Sequence, residues 1–218
     1  MRIRILGSAL FLIFFFGCKG EKRYHDEVSK TLSSSSEVVT EIQTFHEHLN
    51  EEFRDPERSP LPDRYKKNFL ALDFYDPDTS FRVWAKFTRT PEAVPFFMPT
   101  TTTRVSTEVL YGLAEFKFDS IQVQLELYKN VAGEPDSAKK DLFLPFLDQT
   151  NGESTYSGGR YIDLPIPETD SILIDFNKAY NPYCVYNKKY SCPIVPTVNT
   201  IPIAIEAGVK DFIPTKKP

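Results

Sequence analysis

The chain has 218 residues and a mass of 25.0 kDa, enough for one domain with a sizeable core and little room for a second. Its 26 basic and 30 acidic side chains leave a formal charge of −4, and Lys and Arg are scattered, which excludes the basic stripe that holds nucleic acid. Eighteen Phe, eleven Tyr and seventeen Pro against nine Gly favour strands joined by rigid loops.

The chain opens MRIRILGSALFLIFFFGCKG, with Arg2 and Arg4 ahead of an apolar run from Ile5 to Phe16 that is too short to stay as a membrane-spanning helix. Residues 1–17 are read as a signal peptide. Phe15-Phe16-Gly17-Cys18 resembles a bacterial lipobox, in which a small residue precedes a cysteine that is diacylated and becomes the mature N-terminus. Phe16 is bulkier than the residue usual at its position. The competing readings are an ordinary signal peptide or an uncleaved anchor with a chance cysteine. With lipid on Cys18, acyl chains contributing about 0.8 kcal/mol per buried CH₂ would tie the protein to a membrane of the cell envelope, facing the periplasm or the cell surface.

A polar tether is expected over 18–36, with Ser33 to Ser36 as its flexible part. The single domain then covers 37–218. Val38, Val39, Ile42, Phe45, Leu49 and Phe53 recur at three- and four-residue steps, so an amphipathic helix is predicted over 37–54, with Ser36 capping it and Pro56 ending it. Glu41, His46, Glu47, Glu51 and Glu52 are assigned to its solvated face. A Pro-broken connection fills 55–79, with one more helical turn at Asp63 to Leu70.

The period changes to two at about Ser80, where Phe81, Val83, Ala85 and Phe87 alternate with Arg82, Trp84, Lys86 and Thr88. Three hairpins are predicted in the β-body 80–213. The first turns at Asp119-Ser120 between Phe116–Phe118 and Ile121–Tyr128. The second turns at Asn151-Gly152 between DLFLPFLD and STYSGGRYIDL, with Pro145 marking an edge strand or a bulge. The third joins RYIDL to SILIDFN through PIPETD. The expected fold is mainly β: an antiparallel β-roll or partly open barrel of successive hairpins, with the helix in front.

If Cys18 carries lipid, Cys184 and Cys192 remain, with seven residues between them, and in an oxidising envelope such a pair is expected to form a disulfide. A short ring of that kind would contribute on the order of 2 to 3 kcal/mol. The rival is a metal or redox site, but there is no CxxC, and further zinc ligands are not evident nearby.

Pairing Leu164 with Ser171 across PIPETD places Arg160 opposite Asp175, with Asn177 on the same face and Tyr180 and Asn181 at the adjoining corner. These five residues are the ligand-binding candidates, since a guanidinium held by a carboxylate receives carboxylate or phosphate groups well. The competing reading is architectural: the ion pair braces the corner, and the asparagines satisfy loop backbone. Asp148, Thr150, Asn151 and Glu153 faintly suggest a calcium loop, but the EF-hand spacing is missing and turn chemistry is preferred. No metal and no cofactor are implied.

His25, His46 and His48 all precede residue 50, so a Ser-His-Asp triad within the β-body is impossible. No GxxxxGK[ST] or GxGxxG occurs to cradle phosphate. Three readings stay open: an envelope lipoprotein binding a small molecule or glycan, an envelope hydrolase drawing acid and base from Asp148, Asp163 and Asp175, and a structural accessory with no site.

TNGESTYSGGRYIDL, DFNKAYNPYCVYN and YSCPIVPTVNTIPIAIEAG resemble the bacterial and archaeal family catalogued as domain of unknown function 1684, with weaker agreement at SPLPDRYKKNFLALDFYDPDTSFRVWAKF. The resemblance spans about Phe53 to Lys210, and D-F-N-x-A-Y-N-P-x-C is its most specific piece. Family members often carry Pro where Tyr183 stands, Asp-Gly in place of Asp119-Ser120, and Glu where Val209 stands. The resemblance implies the domain bounds and supplies no reaction. It directs attention to the block from Asp175 to Cys192.

Overall fold

The structure is a computed structural model that describes residues 24–131 and 141–213, with side chains of the first helix described from Ser35 onward. The signal segment 1–17 and Cys18 lie outside the described residues. None of the described helices is long and apolar enough to cross a membrane.

Helix α1 runs Tyr24–Arg54. It therefore includes Ser33 to Ser36, which were expected to form the flexible end of the tether, and Ser36 lies inside the helix rather than capping it. The Thr40 hydroxyl donates to the Ser36 carbonyl at 2.9 Å, a bond that belongs within a helix. The expected apolar stripe buries Ile42 and Phe53. Two polar residues share that stripe. His46, assigned above to the solvated face, is buried, stacks on Phe74 with ring centroids 3.9 Å apart, and donates from Nε2 to the Asn177 carbonyl at 2.7 Å. Asn50 accepts from the Leu72 amide at 2.8 Å. Both groups satisfy loop backbone that would otherwise be orphaned by burial. One short helix, α2 (Asp63–Lys66), interrupts the following connection.

Seven strands follow among the described residues: β1 (Arg82–Arg89), β2 (Phe96–Pro99), β3 (Val105–Phe118), β4 (Ile121–Asn130), β5 (Asp141–Phe146), β6 (Arg160–Pro165) and β7 (Ser171–Asp175). They form one sheet in the order β6-β5-β4-β3-β1-β7, with β2 added to β3, curled into a nearly closed barrel. The structure is mainly antiparallel β, as the sequence pattern predicts. Phe118 pairs with Ile121 across Asp119-Ser120, and Asp119 takes a φ of 49° to make that turn. Long β3 bulges between Leu110 and Gly112. That irregularity breaks the alternation, which is why the sequence shows only the far end of this strand.

The second hairpin exists, but its strands meet at Phe146 and Arg160, so 147–159 form a long loop around Asn151-Gly152. Pro145 lies on a strand flanked by neighbours on both sides, not at a sheet edge. Lacking an N–H, it cannot complete a ladder with β4. The Asn199 side chain takes over that role, donating to the Pro145 and Glu126 carbonyls at 2.8 Å each and accepting from the Glu126 amide at 2.8 Å.

The third hairpin is overturned. β6 and β7 stand at opposite ends of the sheet order, β6 paired with β5 and β7 with β1. Their apolar alternation suits any antiparallel neighbour, and the short PIPETD segment passes over the barrel's open seam instead of folding the strands together. The seam closes at one point, where Tyr161 and Tyr180 exchange two backbone hydrogen bonds of 2.9 Å. Inside, Leu125, Leu127, Leu142, Leu144, Phe146, Ile174 and Phe176 are fully buried. The last part of the core comes from the segment after the strands, which contributes Ile201, Ile205 and Ala207.

Candidate functional site

Arg160 and Asp175 do not pair. The outward and inward alternation of β6 sends Arg160, Ile162 and Leu164 toward the barrel interior, and Arg160 is 0% exposed. Its partners are Asp148 Oδ2 at 2.9 Å, the Ile205 carbonyl at 2.8 Å, and the Ala207 and Val209 carbonyls. Burial pushes the guanidinium pKa down, and the Asp148 carboxylate acts against that shift. Asp148 is itself saturated, accepting from the Thr150 amide and hydroxyl at 2.8 and 2.6 Å and from the Ile205 amide at 3.2 Å. This is turn chemistry plus an internal brace, with no opening for a ligand.

The guanidinium that does stand opposite Asp175 is Arg82, its register partner on β1, with Nη1 3.7 Å from Asp175 Oδ2. Asp175 Oδ1 accepts from the Asn177 amide and side chain at 3.1 and 2.9 Å, and Asn177 also holds Asp78 through its amide and carbonyl at 2.9 and 2.8 Å. Asn181 donates to the Lys210 carbonyl at 2.9 Å. Four of the five binding candidates are therefore buried scaffolding. Nor do the three acids proposed for hydrolysis converge, since Asp148 and Asp175 serve these two separate braces. Only Tyr180 and Asp163 reach open space together.

They do so in a cleft of about 450 Å³ on the outer face of the barrel. One wall is α1, through Phe45, Leu49 and Glu52. The floor is the outward set of β5 and β6, Phe143, Tyr161 and Asp163, alternating with the inward residues that build the core. The other wall is the stretch after β7: Lys178, Tyr180, Pro182, then Tyr183 on α3 (Tyr183–Tyr186), then Tyr190, Ser191 and Cys192. Volume and lining fall in the range of small-molecule sites.

The rings meet edge to face. Tyr161 crosses Tyr180 at 89° with centroids 5.9 Å apart, Phe143 crosses Tyr161 at 78° and 4.7 Å, and Tyr183 tilts 57° from Tyr190 at 5.3 Å. Two phenols donate to carboxylates: Tyr180 to Asp163 Oδ2 at 3.0 Å, and Tyr183 to Glu52 Oε1. Tyr161 donates to the Pro193 carbonyl. Burial first, then the neighbouring carboxylate, pushes the Tyr180 and Tyr183 phenols above their ordinary range, so both stay protonated. Lys178, on the wall of the cleft, pairs with Glu41, 2.5 Å away.

Cys184 and Cys192 are free thiols, which corrects the expected disulfide. They are nonetheless in contact, with the Cys184 amide donating to Cys192 Sγ at 3.2 Å. Hydrogen bonding from Cys192, helped by Thr101, pushes the Cys184 thiol down to about 6 against the effect of burial. Hydrogen bonding to Cys184 and burial push the Cys192 thiol up. The loop 185–191 is instead anchored by Ser191, whose carbonyl accepts from Arg104 at 2.6 Å and whose hydroxyl meets Thr100 and Thr102 at 2.8 and 2.6 Å. Among the described residues, no three His, Cys, Asp or Glu side chains gather as a metal site.

The family described as "Protein of unknown function (DUF1684)" matches residues 67–210, about two thirds of the chain. The chain belongs to this family. DUF1684 thus takes in every described strand, and the matched segment starts later than the resemblance at Phe53 suggests. Among solved structures, the chain is similar to an uncharacterized protein of Haloarcula marismortui determined in solution by NMR. The two share 29% identity, with 85% of this chain and 97% of the other covered and a TM-score of 0.63. No curated protein matches the chain.

Sequence reasoning picked out the block from Asp175 to Cys192 but missed Glu52, Phe143, Tyr161, Tyr183 and Tyr190 as cleft residues. For β5 and β6 a signal was available. Phe143, Tyr161 and Asp163 occupy the outward positions of strands whose inward positions are Leu and Ile, and aromatic side chains on a face that should be solvated call for a cover.

Proposed function

We propose that this DUF1684 protein is an envelope lipoprotein, held to a membrane by acyl chains on Cys18, whose β domain binds a small organic ligand in the tyrosine-lined cleft. The observation that carries the reading is the cleft itself: about 450 Å³ of concave space walled by Tyr161, Tyr180, Tyr183 and Tyr190, with the carboxylates of Asp163 and Glu52 on its lining. Such a combination of apolar rings and a few fixed polar groups is what small-molecule sites share. The site differs from the one first expected around Arg160 and Asp175, whose hydrogen bonds are spent inside the fold.

The binding reading is tested by titrating a fragment mixture containing amines, sugars and small aromatics into isotope-labelled protein. Shifts should concentrate on Phe143, Tyr161, Asp163, Tyr180, Tyr183 and Tyr190. Shifts spread evenly over the surface, or none, would remove the basis for a binding role. Anchoring is tested by Cys18→Ser in cells. The variant should leave the membrane fraction, and its full retention there would contradict lipidation at this position.

A further inference from the structure

We propose that the ligand class of this cleft is a quaternary or fully methylated amine; the inference rests on the binding role proposed above. Three features of the cleft point to it. The first is ring geometry. Tyr161 and Tyr180 meet at 89° and Phe143 and Tyr161 at 78°, so adjacent walls are perpendicular. A flat aromatic ligand wants parallel faces, and a sugar wants one open platform. A box of crossed rings suits a compact, roughly spherical head, and the electron-rich faces of tyrosine attract a cation placed within about 6 Å of the centroid.

The second feature is the direction of the hydrogen bonds. The phenols of Tyr180, Tyr183 and Tyr161 donate to Asp163, Glu52 and the Pro193 carbonyl. Their protons point into the protein's own acceptors, and a phenol donating to a carboxylate is polarised toward a more negative ring. A ligand with many hydroxyl acceptors finds those donors engaged. A fully methylated ammonium group needs no hydrogen bond and gains from every ring it touches.

The third is charge. Asp163 and Glu52 place two negative charges on the lining, against the single positive charge of Lys178. That charge is offset by Glu41 at 2.5 Å. Lys178 Nζ also lies 6.0 Å from the Phe45 ring centroid, so a cation over an aromatic wall is already part of this rim.

The deciding experiment compares choline with its uncharged isostere 3,3-dimethylbutan-1-ol, which has the same shape without the charge. Binding to the purified protein is followed by chemical shifts of the cleft residues. Choline should bind at least about tenfold more tightly, the ratio expected from cation–π attraction of about 1.4 kcal/mol or more. Asp163→Asn, at an exposed position that leaves the core intact, should weaken choline several-fold and leave the isostere unchanged. Equal binding of both compounds in the cleft, or a choline affinity indifferent to Asp163→Asn, would overturn the cation assignment while the binding role stood. If neither compound shifts the cleft and the fragment mixture does, the ligand class is wrong. If the mixture fails as well, the binding role falls with it.

Discussion

Replacing Arg160 by Met keeps much of the side chain's bulk and removes its charge. In the folded protein the guanidinium is fully buried and holds Asp148 together with the carbonyls of Ile205, Ala207 and Val209. Its loss leaves a buried carboxylate with no counter-ion, a change that typically costs about 3–5 kcal/mol. The released carbonyls add to that, since each buried group left without a partner costs about 1–3 kcal/mol where water cannot reach it. Urea unfolding followed by far-UV circular dichroism should therefore show Arg160→Met less stable by at least about 3 kcal/mol. With about 2–4 °C lost per kcal/mol for a chain of this size, its Tm should fall by roughly 10 °C. Adding Asp148→Leu should cost less than the sum of the two single changes, because the second substitution removes the charge that the first one strands. A loss below about 1 kcal/mol for Arg160→Met, at unchanged denaturant slope, would refute the view that this pair braces the barrel.

Three further outcomes follow from other residues. Burial lowers the pKa of His46, with the Asn177 carbonyl and Asp175 opposing, so the folded state prefers the neutral ring. The unfolded chain then binds a proton more readily, and the stability that His46 contributes is full above about pH 6.5 and is lost as pH falls through the lower folded value. A His46→Gln variant should flatten that part of the stability profile, and identical slopes in both proteins would count against it. Cys184, pushed down to about 6, should be alkylated by iodoacetamide well ahead of Cys192, with a rate whose pH midpoint lies near 6 rather than at the ordinary 8.5 or so; mass mapping that finds Cys192 modified first would contradict this. Gly208 sits at a φ of 76°, and a Cβ there would lie 2.8 Å from the Ala179 and Phe176 carbonyl oxygens. Gly208→Ala should cost more than about 1 kcal/mol, whereas Gly152→Ala, with a φ of 84° but only Ser157 nearby at 3.8 Å, should cost less.

Local pattern was enough for β1, β4 and the general fold, because Phe81 to Phe87 and Ile121 to Leu127 alternate cleanly between an apolar and a polar face, but it left β2 and most of β3 unseen. What local pattern could not carry was which strand lies beside which. Arg160 and Asp175 fit one another by counting across PIPETD, yet each has its partner elsewhere: Asp148 in the loop before β6 for the first, Arg82 on β1 for the second. The one expected charge pairing has the right chemistry and the wrong address for each of its members. The helix shows a related effect. Polarity alone assigns His46 to solvent, although it stands four residues after Ile42 on the apolar stripe, and only the position of the Asn177 carbonyl and the Phe74 ring explains why an imidazole belongs there. The cleft was legible in part, as an excess of tyrosine around 180–190, while its floor and far wall come from β5, β6 and α1, distant in sequence.

The seam between the two end strands bears on how the molecule can be made. Ile201, Ile205 and Ala207 fill space inside a barrel whose strands are all complete by residue 175, and the backbone near them supplies the acceptors for Arg160. A nascent chain that has produced every strand still holds an unfilled interior and an uncompensated internal cation, so cooperative folding must wait until about thirty more residues have emerged. The segment after β7 is therefore part of the folding unit itself, and a chain cut short before Ala207 would lack both the filling of its interior and the partners of its internal cation.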